Sequence, residues 1–236
     1  RSRPPADMER DVLRKPASML ALSTVKAGDK IAELIPGNGY YTRMLSRLIG
    51  PRGQIYPIVP YVGANPQIVR EQGKDARSTT PIAAALAVQD IADYRNVTVL
   101  WENLGQYGGH MSTPVQLDAV LSEDTYHLLH NAGTGKIDAA KLNKAIFAAL
   151  KPGGVFVVSD FAAAKGAGFT QTETLQRAEA DAVKTEILAA GFALDTESNA
   201  LANAGDDHTK SSRDVGDGAD RFSFRFKKPA SATGDK

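Results

Sequence analysis

Residues 122–131, "SEDTYHLLHN", gather Asp124, Tyr126, His127 and His130, and so contain two of the chain's four histidines. Histidine, with an unperturbed pKa of about 6.5, is suited to take a proton from a hydroxyl or amine near neutral pH. His127 is therefore the candidate base, with Asp124 or Tyr126 to set its tautomer and His130 one helical turn on as a packing or capping group. An ordinary helix start, whose histidines only cap and hydrogen-bond, has the same composition. His127 and His130 could also share a helix face toward a metal, joined by His110 or His208. No third ligand stands at a fixed spacing, so no metal is expected.

The second constellation is "ELIPGNGYYTR", residues 33–43. Gly37 and Gly39 would let backbone amides approach a ligand closely, and a helix opening at Tyr40 would offer its positive end. Pro36, Asn38, Tyr40 and Tyr41 complete the loop's wall, and Glu33, at the end of the preceding strand, could face a cofactor's charged or hydroxyl groups. The plain alternative is a tight strand-to-helix turn. The dinucleotide fingerprint GxGxxG needs a third glycine that Met44 and its neighbours do not supply, which disfavours nicotinamide and flavin cofactors. Further on, "WENLGQ" offers Glu102 and Asn103 as adenine contacts and Trp101 as a stacking ring, against the alternative of a loop with one core tryptophan. Glu173 and Arg177, four apart on one helix face, suit a surface ion pair more than an acceptor site, and "DDHTKSSRD" is either a solvated charge cluster or, as a long loop, a lid or substrate wall.

These groups need a scaffold, and the chain is long enough for one. Its 236 residues suit a single α/β domain. Lys and Arg number 28 against 27 Asp and Glu, a balance that leaves no electrostatic footprint for nucleic acid or an anionic membrane. A small-molecule substrate is expected, with no nucleic-acid or membrane partner. The absence of cysteine excludes disulfides, thiolate zinc sites and cysteine nucleophiles. No apolar run approaches the roughly 18 residues of a membrane span.

Strand and helix signals alternate: "KPASMLALSTV" a helix, "KIAELI" a strand covered on both faces, "YYTRMLSRLIG" a helix presenting Tyr41, Met44, Leu45 and Leu48, "QIYPIV" and "NVTVLW" strands, with "PIAAALAVQDIA" helical between them. "LDAVLS" is a fourth strand, "DAAKLNKAIFAAL" a helix, and "KPGG" breaks the chain before a fifth strand, "VFVVSDF". "TETLQRAEADAVKTEILAAG" reads as the longest helix, ending on Gly191. This rhythm predicts a doubly wound parallel sheet. "FALDTESNAL" and "RFSFRF" lack a crossover helix, so they should pair antiparallel at one edge. The expected organisation is an N-terminal arm over 1–15, one domain over 16–228 and a disordered tail over 229–236.

Three segments, "VKAGDKIAELIPGNGYYTRMLSRLIGPRGQIY", "LDAVLSEDTYHLLHN" and "LKPGGVFVVSDF", resemble the first, fourth and fifth strand motifs of class I S-adenosylmethionine-dependent methyltransferases. The chain looks closest to a bacterial group of predicted methyltransferases, over about Arg3 to Pro229. The resemblance implies a seven-stranded Rossmann-like sheet with an antiparallel last strand, S-adenosylmethionine as cofactor, and "SEDTYHLLHN" facing the transferred methyl. It also implies a periplasmic or secreted location, with a cytoplasmic one as the alternative. Two features depart from the pattern. Ile35 stands where the family has its first glycine, and "QIYPIVPYVG" ends the second strand without the usual ribose-binding carboxylate. Loss of such a charged hydrogen bond, about 1.5–3 kcal/mol, lowers affinity by one or two decades. The functional readings are thus a methyltransferase acting on a small molecule, or a non-catalytic binding protein on the same fold.

Overall fold

The computed structural model describes residues 3–60, 88, 91–103, 111–132 and 137–230. His110, most of "PIAAALAVQDIA" and the tail beyond Ala230 lie outside them. Seven strands form one sheet in the order β3-β2-β1-β4-β5-β7-β6: β1 Lys30–Leu34, β2 Gln54–Pro60, β3 Leu100–Glu102, β4 Leu117–Glu123, β5 Leu150–Phe161, β6 Ala193–Ser198 and β7 Arg221–Lys227. The pairs from β3 across to β5 are parallel. As the missing crossover helix requires, β7 runs antiparallel to both β5 and β6. Strand order reverses between β1 and β4, and in open sheets of this kind ligands sit beyond the carboxyl ends of the strands at that crevice.

Alternation along the strands divides the core between the two faces. Leu117 and Val120 of β4, with Phe156 and Val158 of β5, pack toward Leu142, Ile146 and Ile187 of the helices Ala139–Ala149 and Ala180–Leu188. On the other face, Ile31, Ala119, Leu121, Val155 and Val157 meet Met19 and Leu22 of α2 (Pro16–Ser23) and Tyr41, Leu45 and Ile49 of α3 (Tyr40–Ile49). The buried stripe of α3 thus continues to Ile49, while Leu48 is exposed. Within the N-terminal segment, Pro5, fixed in φ and lacking an N–H, opens helix α1 (Pro5–Arg14). Charge holds it down, with Asp7 on Arg43 at 2.5 Å and Asp11 on the hydroxyl of Tyr40 at 2.5 Å.

Three local expectations are corrected. "KPGG" does not break the chain but is an irregularity inside β5, whose pairing with β4 shifts register between Leu117 and Ala119; Gly153 there has φ +79°, which glycine adopts at little cost. The third strand is only Leu100–Glu102, with Val97 making an isolated bridge to Ile55. The longest expected helix shrinks to Ala180–Leu188 because the preceding backbone bonds elsewhere: Ala178 bridges Ala162, and Glu179 accepts the amides of Gly166 and Gly168. Arg177, far from pairing with Glu173 at the surface, is fully buried. It donates to the carbonyls of Ala162 and Lys210, both at 2.9 Å, and to the Asp206 carboxylate at 2.8 Å.

Part of the "DDHTKSSRD" cluster is therefore structural. Replacing Arg177 by Met removes the ion-pair partner of Asp206, which keeps only the amides of His208 and Asp220, and takes a donor from two carbonyls; it should destabilise the fold by about 3–5 kcal/mol in urea unfolding.

Candidate functional site

The crevice between β1 and β4 is built from their two ends. After Leu34 the chain turns through Ile35 at φ +50° and Gly37 at φ +56° to Gly39 at φ +77°, and the Gly39 amide closes the turn on the carbonyl of Pro36 at 2.9 Å. Left-handed backbone suits the glycines but is an outlier for a β-branched residue. Ile35 therefore carries strain on the order of 1–2 kcal/mol, where the resembling family has a glycine. Packing against the core holds it there. No side chain caps the start of α3. An added Cβ at Gly37 would meet nothing within 4 Å, whereas at Gly39 it would lie 2.8 Å from Val88 Cγ2 and 3.1 Å from Arg43 Nη1. Gly37 faces open space; Gly39 backs onto protein.

Beneath the loop, the buried Glu33 carboxyl accepts the hydroxyl hydrogen of Thr42 at 2.5 Å, tying the end of β1 to the first turn of α3. Burial pushes it up to about 7, outweighing Thr42 and Arg43. At the end of β4, Glu123 is 8% exposed, and its Oε1 has no hydrogen-bond partner. Burial, then the neighbouring Asp124 charge, raises it well above the ordinary carboxyl range. Asp124 leaves the strand at φ +59° and meets two guanidiniums, Arg14 of α1 at 2.8 Å and Arg221 of β7 at 2.7 Å. Burial alone would raise its carboxyl, but Arg14 and Arg221 hold it below its ordinary value. Arg14 also reaches Asp217 at 3.1 Å, and its guanidinium lies over the rings of Tyr40 and Tyr41. Glu33, Glu123, Asp124, Arg14, Tyr40 and Tyr41 line a cavity of about 210 Å³ with Arg10, Ile35, Pro36, Gly37, Asn38 and Thr125.

Of the residues singled out in the sequence, Glu33, Pro36, Gly37, Asn38, Tyr40, Tyr41 and Asp124 meet at this cavity, and Gly39 supports it from behind. Glu102 and Asn103, at the end of β3, do not line it; Glu102 is buried and accepts the amide of Ser112 at 2.8 Å and its hydroxyl hydrogen. His127 and Tyr126 do not line this cavity. The 3₁₀ turn Tyr126–His130 carries both inward. The His127 Nδ1 lies 2.8 Å from Asp160, which also takes its backbone amide, so neither Asp124 nor Tyr126 sets the tautomer. Burial alone would lower the imidazole, but the Asp160 carboxylate and Gln176 raise it. Tyr126 donates to Glu186 and accepts from Asn143, both at 2.6 Å. His130 lies 3.1 Å from Glu186 and stacks on Phe169, and His208 pairs with Asp220. The three described histidines thus face three different carboxylates.

Sequence reasoning missed Arg10, Arg14 and Glu123. The first two stand four apart on one face of "ERDVLR", an i,i+4 signal hidden by reading the segment as an arm. Glu123 was adjacent to Asp124 and shares β4's alternation with Leu121.

No family model and no curated protein matches the chain at the level of sequence. Solved structures do. A SAM-dependent methyltransferase from Aquifex aeolicus is 16% identical, with a TM-score of 0.60, 93% of this chain and 92% of that one being covered. Fibrillarin from Aeropyrum pernix, determined with natively bound S-adenosyl-L-methionine, is 16% identical at a TM-score of 0.53, over 92% and 76% of the two chains. The 4+2 cyclase SpnF is 14% identical at 0.59, over 95% and 82%. The chain therefore has the seven-stranded Rossmann-like fold of SAM-dependent methyltransferases.

Because the folded state holds the Glu33 proton up to about pH 7, this group's contribution to stability is fully present below its unfolded pKa and lost as pH rises through 7. Glu33→Gln keeps an acceptor for Thr42 and does not titrate. Relative to its effect near about pH 4, the substitution should stabilise the protein by up to about 3 kcal/mol near pH 8, read from paired denaturant curves.

Proposed function

We propose that the chain binds S-adenosylmethionine at the glycine loop and transfers its methyl group to a small-molecule acceptor. The observation that carries this reading is the open cavity at the β1/β4 switch point, where the Gly37 backbone is bare and Glu123 presents a buried carboxyl oxygen without a partner. The residues suit the group. Pro36, Gly37, Asn38 and Gly39 supply a close backbone approach, the uncapped start of α3 supplies donors, and Glu33, Tyr40 and Tyr41 form the walls. Glu102 and Asn103, at the end of β3 on the far side of β2 from β1, are assigned to the adenosine side. The cavity is smaller than the roughly 300–1,000 Å³ typical of whole-ligand sites, which matches the amino-acid end of such a cofactor.

When bound, the cofactor supplies a sulfonium-activated methyl carbon. The chain's own part is to orient an acceptor lone pair toward it, exclude water and take a proton where the acceptor has one. Asp124, ion-paired to Arg14 and Arg221, fixes the wall of the site. His127, pinned between Asp160 and Gln176, positions the chain leaving β4 and is not assigned a proton-transfer role. A second reading, a binding protein without transfer activity, draws on the strained Ile35 and on a second strand ending in Val59 and Pro60.

Native mass spectrometry of the purified protein, followed by calorimetric titration with S-adenosylmethionine, S-adenosylhomocysteine and NAD, tests the proposal. Micromolar-range binding of the first two but not NAD is expected. Gly37→Asn, compatible with left-handed backbone, should weaken binding at least about tenfold by intruding on the cavity, with the melting temperature little changed. No heat and no mass shift at millimolar cofactor would overturn it.

A further inference from the structure

On the reading that the cavity takes S-adenosylmethionine, we propose that Glu123, with Glu33 behind it, is the receptor for a cationic group of the ligand, and that the site exchanges a proton for that cation. The two carboxyls belong to neighbouring strands: Glu33 pairs in register with Leu121, and Glu123 lies two residues on, so both side chains leave the same face of the sheet, toward α1 and α3. The cations that could neutralise them are engaged elsewhere. Arg14 is shared by Asp124 and Asp217, Arg221 holds Asp124, and Arg10 holds Asp217 at 2.6 Å. Tyr40 gives its hydroxyl to Asp11, and Thr42 serves Glu33 alone. Glu123 is left more than nine-tenths buried, lining the cavity, with Oε1 unsatisfied. A buried polar atom of this kind costs free energy unless something completes it.

A cation completes it best. Burial shifts both carboxyls toward the protonated form, and an ammonium or sulfonium brought against the unpartnered Glu123 oxygen favours its ionised form and forms the stronger, charge-assisted contact. The balance is simple: the protonated carboxyl loses one proton to solvent as one positive group enters, leaving a carboxylate beside a cation. Two parts of the cofactor carry that chemistry, its α-ammonium and its sulfonium. S-adenosylhomocysteine keeps the first and lacks the second.

Titration calorimetry near neutral pH in two buffers of different ionisation heat counts the protons released per ligand. Up to one proton is expected for the wild-type protein and markedly less for Glu123→Gln, whose folding is checked by circular dichroism; Glu33→Gln serves the same purpose if Glu123→Gln does not fold. Affinity should rise with pH by up to about tenfold per unit in the wild type and more weakly in the variant. Equal release with both ligands assigns Glu123 to the α-ammonium, and release with S-adenosylmethionine alone assigns it to the sulfonium; either result supports the proposal. Binding of both ligands with no proton release and no pH dependence would overturn it while leaving cofactor binding intact. Failure of either ligand to bind would remove it together with the reading on which it rests.

Discussion

Two guanidinium groups from opposite ends of the chain, Arg14 of α1 and Arg221 of β7, meet on the buried carboxylate of Asp124 where β4 leaves the sheet. One contact joins the N-terminal helix, the central crevice and the antiparallel edge. Asp124 is held in left-handed backbone, with its amide on the Ser159 carbonyl at 2.8 Å, so the strand end is aimed by both its backbone and its charge. Removing either arginine would leave a buried carboxylate short of compensation, the costly way to break such a pair. Helix α1 depends on the same charges. Its outward Met8, Val12 and Leu13 are exposed, and its hold on the body comes from Asp7, Arg10, Asp11 and Arg14.

That commitment of charge shapes the cavity next to it. Asp124 and Asp217 take up Arg10, Arg14 and Arg221, so the neighbouring glutamates have no ion-pair partner of their own among the described residues, and burial raises both carboxyls. A cluster of seven ionisable groups thereby divides into a fixed ion network and a responsive pair. The division is electrostatic, not a property of residue type: Glu123 and Asp124 are adjacent in sequence and shift in opposite directions.

The fold alone does not choose the chemistry. A cyclase shares this architecture at about the same level of similarity as a methyltransferase, so function rests on the site and not on the sheet. At that site, Gly37 faces an open cradle, and Ile35 makes the turn expected of a glycine by accepting strain that its packing compensates. The loop keeps a tight strand-to-helix turn at the switch point with left-handed backbone at Ile35, Gly37 and Gly39.

Much of the scaffold was legible in the residues alone. The apolar run of β1, the glycine loop after it, the Gly50 stop and the antiparallel last pair all follow from local periodicity, turn chemistry and the missing crossover helix, which neighbouring residues decide among themselves. The partners of the ionisable groups did not follow. His127 meets a carboxylate 33 residues away, Asp124 meets residues 110 and 97 positions distant, and Tyr126 meets Glu186 rather than a ligand. Arg177 likewise satisfies its planar fork on three distant groups and so abandons the helix its own sequence suggests. Local pattern sets which way a side chain leaves its strand; which charge it then meets, and hence whether it is ionised, depends on strand order and register. Only the assembled sheet determines those.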